Sequence, residues 1–216
     1  MKNQKYIPAL SYEWLTPFYD TAVRLTTREM VFKNALVEQA RIKTNHRVLD
    51  LACGTGTLAI FIKKAQPQAS VIGLDGDPKI LETARTKAKE SGVQIGFDEG
   101  MSFDLPYEDA SFDRVVSSLF FHHLTRENKL KTLREVKRVL KSSGEIHIAD
   151  WGLPTSSLMK FPSYFIKLFD GSETTADSFD GLLPQLMTDA GFGAVEETNN
   201  FNSLFGTIRL HKSTKT

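Results

Sequence analysis

Residues 48–59 read VLDLACGTGTLA, an apolar run that enters a glycine-rich turn and continues directly into a helix-like stretch. Gly54 and Gly56 permit a tight turn and let a ligand approach the main chain with no side chain in the way. The first N–H groups of the following helix would face that ligand and favour a negative group, a phosphate or a carboxylate. The stretch therefore predicts a strand–loop–helix unit that binds a small ligand.

The sequence on either side of this unit alternates short apolar runs with helix-like segments, which is typical of a parallel sheet with helical crossovers. The predicted strands are His46–Leu51, Ser70–Leu74, Val93–Phe97, Arg114–Ser118 and Glu145–Ala149. The predicted helices are Thr57–Ala65, Pro78–Ser91 and Arg126–Lys141, preceded by Tyr12–Leu25 and Arg28–Ile42. Val195–Thr198 and Leu204–Leu210 are predicted to form a hairpin joined by residues 199–203, so that an antiparallel pair closes the sheet.

Helix ends and helix faces carry their own signals. Asp77 and Thr125 are predicted N-caps, and Pro78 occupies a first helical position. Predicted core faces contain Phe32, Leu36, Val37 and Ala40 in one helix and Leu130, Leu133, Val136 and Leu140 in another. The opposite face of the latter carries Lys129, Lys131, Arg134, Lys137, Arg138 and Lys141. We interpret these cations as a solvated face and not a docking patch, since Glu127 and Glu135 interrupt them.

Composition limits the class of protein. The chain has 216 residues, a formal net charge of +1, 41% hydrophobic and 25% charged residues. This length suits a single domain, and the near-zero charge argues against nucleic acid as the main ligand. No apolar run approaches ~18 residues and no signal-peptide pattern is present, so nothing is expected to span a membrane. Cys53 alone can form neither an internal disulfide nor a thiolate metal cluster, and we expect a cytoplasmic protein without a metal.

Two acidic residues indicate which ligand the glycine loop takes. A G-x-G-x-x-A pattern alone also fits a dinucleotide enzyme. Asp50 precedes Gly54 by four residues, where it could receive an ammonium group and would repel a pyrophosphate. Asp75 ends the second predicted strand, where an acid can bind both hydroxyls of a ribose. A ligand with a ribose, an amine and a carboxylate is implied, and S-adenosylmethionine has all three.

Four stretches resemble the motifs of class I S-adenosylmethionine-dependent methyltransferases. They are 48–59, 71–81, 104–113 and 116–124, and with their surroundings they cover residues 47–151. The chain is most similar to the ubiquinone/menaquinone C-methyltransferase (UbiE-like) group, which also places a Tyr-Asp pair such as Tyr19-Asp20 before the first strand. The resemblance implies a Rossmann-like α/β fold with a seven-stranded sheet of order 3-2-1-4-5-7-6, the last strand antiparallel, and helices on both faces.

The same resemblance assigns roles in cofactor binding. Asp50 and the Gly54–Gly56 backbone would hold the methionine end, Asp75 the ribose, and Ile80 would lie near the adenine. Ser117 or Ser118 would offer a backbone carbonyl to the amine. Gly76 and Met101 depart from the family pattern, which has a bulky apolar residue and an aspartate there, so adenine recognition differs. The predicted cofactor contacts are Tyr19, Asp50, Ala52, Gly54, Gly56, Asp75, Gly76, Ile80, Met101, Ser102 and Ser118.

The candidate catalytic residues are His123, His122 and Asp150. Both histidines follow the fourth predicted strand, where an acceptor would meet the cofactor, and we expect adjacent loop residues to point in different directions, with His123 towards the pocket. A general base would assist a phenol or a carbon acid. The alternatives are structural histidines, one bonding a backbone carbonyl, and Asp150 as a turn acid. For Cys53, ordinary packing is expected.

An unusually apolar segment, Leu153–Asp170, follows the fifth predicted strand. It is either a lid over the acceptor, hinged at Gly171–Ser178, or a core helix. We divide the single domain into an N-terminal segment covering the site (1–45), a cofactor core (46–151) and a lid or insertion (152–180). The leading hypothesis is C- or O-methylation of a small, apolar or aromatic molecule, with at most peripheral membrane contact. The alternatives are a non-catalytic cofactor-binding regulator or partner subunit, and a nicotinamide enzyme.

Overall fold

The computed structural model describes residues 29–155, 181–203 and 206–216. Its centre is a seven-stranded sheet of order β3-β2-β1-β4-β5-β7-β6, which confirms the predicted order. β1 to β5 pair in parallel, and β7 runs antiparallel to both β5 and β6. The strands are β1 Arg47–Leu51, β2 Ser70–Asp75, β3 Gly96–Glu99, β4 Phe112–Ser118, β5 Leu140–Gly152, β6 Glu196–Asn202 and β7 Thr207–Thr214.

Five α-helices lie in the described part of the chain. They are α1 Glu29–Ala40, α2 Thr57–Ala65, α3 Pro78–Glu90, α4 Arg126–Val139 and α5 Leu183–Asp189. The predicted caps are confirmed: Asp77 accepts a hydrogen bond from the Lys79 N–H (2.9 Å), and Thr125 accepts one from the Asn128 N–H (3.3 Å). Among the described residues, no helix has both the length and the apolar character that crossing a membrane requires.

The prediction for α4 was wrong in two respects. The helix ends at Val139, because Leu140 adopts an extended conformation and starts β5. Lys129, assigned to the solvated face, is only 1% exposed. It shares the buried stripe of α4 with Leu133 and Val136, since positions four and seven residues apart face the same side of a helix.

The C-terminal hairpin is present, but its turn lies later than predicted. Residues 199–202, predicted as the connection, belong to β6, and the pairing shifts between Glu197 and Asn199. Asparagine is depleted in strands generally, but an exposed edge strand places few demands on side-chain packing. β3 is likewise displaced, to Gly96–Glu99 from the predicted Val93–Phe97.

Apolar side chains cover both faces of the sheet. On one face, Val48, Val116 and Ala149 form a cluster with Phe32, Leu36 and Ala40 of α1 and with Leu58 and Ile62 of α2. On the other face, Leu49, Val115 and Ile148 form a cluster with Leu133 and Val136 of α4 and with Leu183 and Leu186 of α5. We call these the α1–α2 face and the α4–α5 face. The parallel strands end together at one edge between the two faces, and that edge carries the candidate site.

Candidate active site

The predicted site residues gather at the carboxyl edge of the parallel strands. Asp50 pairs with Gly73 of β2 and with Val116 of β4. Two positions further along, β2 ends at Asp75 and β4 ends at Ser118, which pairs with Ala149 of β5. Parallel pairing in this register therefore brings residues from four separate segments to one edge of the sheet.

The loop after β1 turns through three residues with left-handed backbone conformations. Their φ angles are +56° at Ala52, +52° at Gly54 and +75° at Gly56. A Cβ placed on Gly54 would have nothing within 4 Å, whereas one on Gly56 would lie 3.1 Å from Ala84 Cβ and from the Phe97 ring. A side chain at Gly56 would therefore crowd Ala84 and Phe97, whereas Gly54 borders open space. Helix α2 begins directly after Gly56 without a side-chain cap, so backbone N–H groups are presented at this point.

Asp75 is half-buried and ties the loop to the end of β2. Its Oδ2 accepts a hydrogen bond from the Gly54 N–H (2.9 Å) and its Oδ1 accepts one from the Asp77 N–H (3.1 Å). Burial raises the pKa of this carboxyl group above its ordinary value, and the backbone N–H groups oppose that rise. Each carboxylate oxygen can accept a second hydrogen bond, so Asp75 can still bind a pair of hydroxyls.

Asp50 is 1% exposed, and its Oδ2 atom has no hydrogen-bond partner among the residues that the structure describes. Burial raises the pKa of this carboxyl group to about 7, while the Lys33 charge and the Ala59 N–H act in the opposite direction. A buried carboxylate with an unpaired oxygen is unfavourable unless a donor or a cation reaches it. Its position near the end of β1, just before the glycine loop, fits an ammonium group of a ligand.

The residues predicted near the adenine lie at the start of α3 and in the segment that follows β3. Ile80 is half-buried in the first turn of α3, and Gly76 lies between Asp75 and the α3 cap. Met101 is half-buried and pairs with Asp104 in an isolated bridge. The Ser102 hydroxyl is buried and lies 2.9 Å from the Thr132 hydroxyl of α4, so this side chain is engaged in packing and only its backbone is left for a ligand.

The segment after β4 forms the other wall of the site. Ser118 is half-buried, and the Ser117 hydroxyl donates a hydrogen bond to the Leu51 carbonyl (3.0 Å). Leu119 has a φ of +52°, and its N–H bonds the Ala149 carbonyl (2.8 Å). The chain then enters a single 3₁₀ turn, Phe121–His123.

Asp150 organises this turn from within β5. It is 1% exposed; one oxygen receives the Phe120 and His122 N–H groups, and the other lies 2.6 Å from His122 Nδ1. Burial disfavours the charged form of Asp150, but the His122 imidazole and the backbone N–H of Trp151 outweigh it and hold the pKa of the carboxyl group below its usual range. The prediction of a turn acid was wrong, because β5 continues to Gly152.

The two histidines do not point in different directions, contrary to the prediction. Their ring centroids lie 3.9 Å apart, and the ring planes are tilted by 42° to each other within the 3₁₀ turn. His122 is 3% exposed and its Nδ1 bonds the Asp150 carboxylate, and His123 is half-buried. Burial and the neighbouring His122 lower the pKa of His123 to about 3, so this imidazole is neutral at physiological pH.

Some predictions fall outside the described residues. Tyr19 and Asp20 lie there, as do most of Leu153–Asp170 and the whole of Gly171–Ser178. Cys53 is buried, and burial together with the neighbouring carboxylates of Asp50 and Asp75 raises the pKa of its thiol, which fits the expected packing role.

Sequence reasoning missed a buried ion pair at the start of α1. Lys33 Nζ lies 2.6 Å from Glu29 Oε1, and both residues are buried. A signal existed: Glu29, Phe32, Lys33, Leu36 and Ala40 share one buried helical stripe, so two charged residues interrupt an apolar face.

The site fits S-adenosylmethionine in its chemistry. Asp50 Oδ2, which has no partner among the described residues, suits the cofactor's ammonium group, and the carboxylates of Asp50 and Asp75 suit a ligand that also carries a sulfonium charge. The open space at Gly54 admits the chain of the cofactor beside the backbone. A sheet of this order with such a loop at its carboxyl edge defines the Rossmann-like methyltransferase class.

Comparison with known proteins agrees with this class. Residues 48–144 match a family described as a methyltransferase domain. The chain is 34% identical over 146 residues to a demethylmenaquinone methyltransferase of Deinococcus radiodurans, covering 67% of this chain and 60% of that protein. It is 30% identical over 206 residues to a ubiquinone/menaquinone biosynthesis C-methyltransferase of Pasteurella multocida, covering 86% of this chain and 75% of that protein.

A solved structure, the YcgJ protein of Bacillus subtilis, has the same fold, with a TM-score of 0.71 over 85% of this chain and 97% of that chain, at 21% identity. The matched region spans 60% of the Deinococcus relative, less than two thirds, and 75% of the Pasteurella one. It belongs to the class I S-adenosylmethionine-dependent methyltransferases, in the UbiE-like family. The cofactor of that family is S-adenosylmethionine.

Proposed function

We propose that this chain transfers a methyl group from S-adenosylmethionine to a carbon or oxygen atom of a small, ring-bearing, apolar acceptor. One observation carries the proposal: the open glycine loop and the buried His122–Asp150 pair share the carboxyl edge of the same sheet. The first provides a place for the cofactor and the second provides a proton acceptor next to it.

On the cofactor side, each residue has a proposed task. Asp50 accepts hydrogen bonds from the ammonium group. Asp75 accepts them from the ribose hydroxyls, while the backbone N–H groups of Gly54 and Asp77 keep its carboxylate oriented. Ala52, Gly54 and Gly56 shape the loop. Gly76, Ile80, Met101 and the Ser102 backbone border the adenine, Ser118 offers its carbonyl, and Tyr19 covers the site from the N-terminal segment. When bound, S-adenosylmethionine supplies an electrophilic methyl group on a sulfonium.

On the acceptor side, we now place His122 ahead of His123 as the general base. Asp150 fixes the ring of His122 through Nδ1 and stabilises the imidazolium that forms when the other nitrogen takes a proton. His123 is a weak base at neutral pH because its pKa is so low, and its stacked ring supports that of His122. Alignment of acceptor and methyl supplies most of the remaining catalysis.

The acceptor we propose is a phenol or a quinol. Both ionise near a positioned base, which matches the His122–Asp150 pair, and the names of the relatives refer to quinone substrates. We further propose that residues 1–45 and 152–180 border the acceptor around the core of 46–151. The cytoplasm stays our proposed location, on the single, buried cysteine.

The test is a methylation assay with isotopically labelled cofactor. Purified protein is incubated with 1,4-naphthohydroquinone, with catechol, and with a lipid and metabolite extract, and labelled products are identified by mass spectrometry. His122→Gln and Asp150→Asn should each lower turnover by ~10²–10⁴-fold and leave the affinity for S-adenosylhomocysteine within about twofold. His46→Gln, away from the carboxyl edge, is the control. Absence of any labelled product from the wild-type protein would contradict the proposal.

A further inference from the structure

We propose that Lys33 of α1 binds the carboxylate of the cofactor's amino-acid end, opposite Asp50. In the cofactor-free protein, Glu29 takes the place of that carboxylate by forming an ion pair with Lys33. This inference rests on the cofactor site of the proposed function. It adds two residues that neither the motifs nor the glycine loop identify, and it makes α1 part of the binding site.

The direction of α1 brings Lys33 to the correct edge of the sheet. The last residue of α1, Ala40, accepts a hydrogen bond through its carbonyl from Arg114 Nε (2.9 Å), and Arg114 pairs with Val48 near the start of β1. Lys33 lies seven residues earlier, about 10 Å along the helix axis. Asp50 lies two residues beyond Val48, about 7 Å along the strand. Helix and strand therefore reach similar levels at these two residues.

Lys33 and Asp50 also share a face. Val48 belongs to the apolar cluster of the α1–α2 face together with Phe32 and Leu36, and Asp50 projects to the same side because side chains alternate along a strand. Lys33 is the strongest charge acting on Asp50. The amino-acid end of the cofactor carries one positive and one negative group, and this face offers one buried carboxylate and one buried ammonium to match them.

The Glu29–Lys33 pair differs from an ordinary helix-surface pair. Glu29 is 6% and Lys33 8% exposed. The Glu127–Lys131 pair of α4 has the same spacing and a similar N–O distance of 2.7 Å, but its side chains are 71% and 46% exposed. Burial of an ion pair is unfavourable compared with leaving it in water, so a purely local helix contact does not explain the location of Glu29–Lys33.

Charge balance indicates why Glu29 would give way. With Asp50 ionised, the three groups Glu29, Lys33 and Asp50 carry a net charge of −1. A cofactor carboxylate placed on Lys33 would add a further negative charge beside Glu29. When the cofactor carboxylate takes Lys33 and the cofactor ammonium group takes Asp50, Glu29 loses its partner and must turn towards water, because an unpaired charge is unfavourable in low-dielectric surroundings. Glu29 thus acts as a stand-in for the ligand and competes with it.

Calorimetry with two ligands tests this directly. S-adenosylhomocysteine has the amino-acid end, whereas 5′-methylthioadenosine keeps the adenine, ribose and thioether and lacks it. Lys33→Met should weaken S-adenosylhomocysteine by at least about tenfold and change 5′-methylthioadenosine by less than about twofold. Glu29→Gln should tighten S-adenosylhomocysteine several-fold, with 5′-methylthioadenosine again unaffected. Lys33→Arg, which retains the charge, should keep most of the preference for the amino-acid ligand.

Lys131→Met and Glu127→Gln are the matched controls and should leave both ligands unchanged. Circular dichroism establishes that each variant is folded, and Lys33→Arg keeps the test decisive if Lys33→Met does not fold. Equal weakening of the two ligands, or no change in either, would overturn the role of Lys33. A wild-type protein that binds neither ligand would instead contradict the cofactor site of the proposed function, so the two failures are distinguishable.

Discussion

Replacing Asp50 by asparagine should stabilise the ligand-free protein and weaken the cofactor at the same time. The carboxyl group is buried, and one of its oxygens has no hydrogen-bond partner in the described part of the chain. The groups acting on it include Lys33, the Ala59 N–H and Asp75. Asparagine has nearly the same shape but no charge. The substitution therefore separates the energetic burden of a buried charge from the benefit that this charge gives to binding.

The magnitude follows from the pKa of Asp50, which burial raises from 3.8 to about 7. The unfolded chain ionises near the lower value and the folded chain near the higher one. The free energy of unfolding therefore falls as pH rises through this window and is constant above it. At about 1.4 kcal/mol per pH unit the full difference is about 4 kcal/mol, an upper bound because structural relaxation and water penetration reduce it.

The assay is urea unfolding of the ligand-free wild-type and Asp50→Asn proteins at pH of about 4.5 and about 8. The advantage of Asp50→Asn should be larger at the higher pH, by up to about 3 kcal/mol. Its affinity for S-adenosylhomocysteine should fall by about 10- to 100-fold, the usual effect of losing a hydrogen bond between charged groups. In the wild-type protein, affinity should rise from pH 5 to pH 7, because the ammonium group requires ionised Asp50.

Asp113 provides a control, because its substitution by asparagine should change the free energy of unfolding in the opposite direction. Partial burial opposes ionisation there, but the Lys141 ammonium (2.8 Å) and the Arg47 N–H (2.8 Å) outweigh it and hold the pKa of Asp113 below its usual value. Asp113→Asn should therefore destabilise the protein, and more so above pH 4 than below it. If Asp50→Asn also destabilised the protein by the same amount at both pH values, Asp50 would be a satisfied structural carboxylate and the reasoning would be refuted.

Three further substitutions examine the loop. Asp75→Ala should lower the free energy of unfolding by about 1–3 kcal/mol, because the Gly54 and Asp77 N–H groups lose their acceptor. It should also lower the affinity for S-adenosylhomocysteine. Denaturation measures the first effect and calorimetry the second, and an unchanged unfolding midpoint would contradict the observed hydrogen bonds. Ala52→Gly should stabilise the protein by up to about 1 kcal/mol, because glycine adopts the left-handed conformation at this position (φ +56°) without strain. As a control, Ala59→Gly within α2 should destabilise the protein by about as much. A loss of stability in both variants would show that Ala52 is not strained. Gly54→Ala should lower the free energy of unfolding by about 1–2 kcal/mol, because alanine is strained at a φ of +52°. The new methyl group enters the open space that we assign to the cofactor, so cofactor binding should be blocked. An unchanged affinity in calorimetry would place the cofactor elsewhere.

Much of the fold could be predicted because its signals are local. The strand–loop–helix unit around Gly54, the helix caps at Asp77 and Thr125, and most strand positions depend on neighbours within a few residues. The predicted sheet order came from the family resemblance, and the structure confirms it. The boundaries failed where local preference was weak, as in residues 199–202, which pair with β7 despite an asparagine-rich sequence.

The residues of the site could likewise be selected from the sequence, but their hydrogen-bond partners, burial and pKa values could not be predicted from it. Asp50, Asp75 and His122 could be selected from their positions after apolar strands. Nothing local reveals that Asp50 lacks a partner for one oxygen, or that Asp150, 28 residues from His122, bonds its ring. The same holds for Lys33. Its spacing from Glu29 is that of an ordinary helix-surface ion pair, and only the structure shows that both residues are buried. Hydrogen bonding, burial and pKa depend on which distant segments surround a group, and only the tertiary structure decides those neighbours.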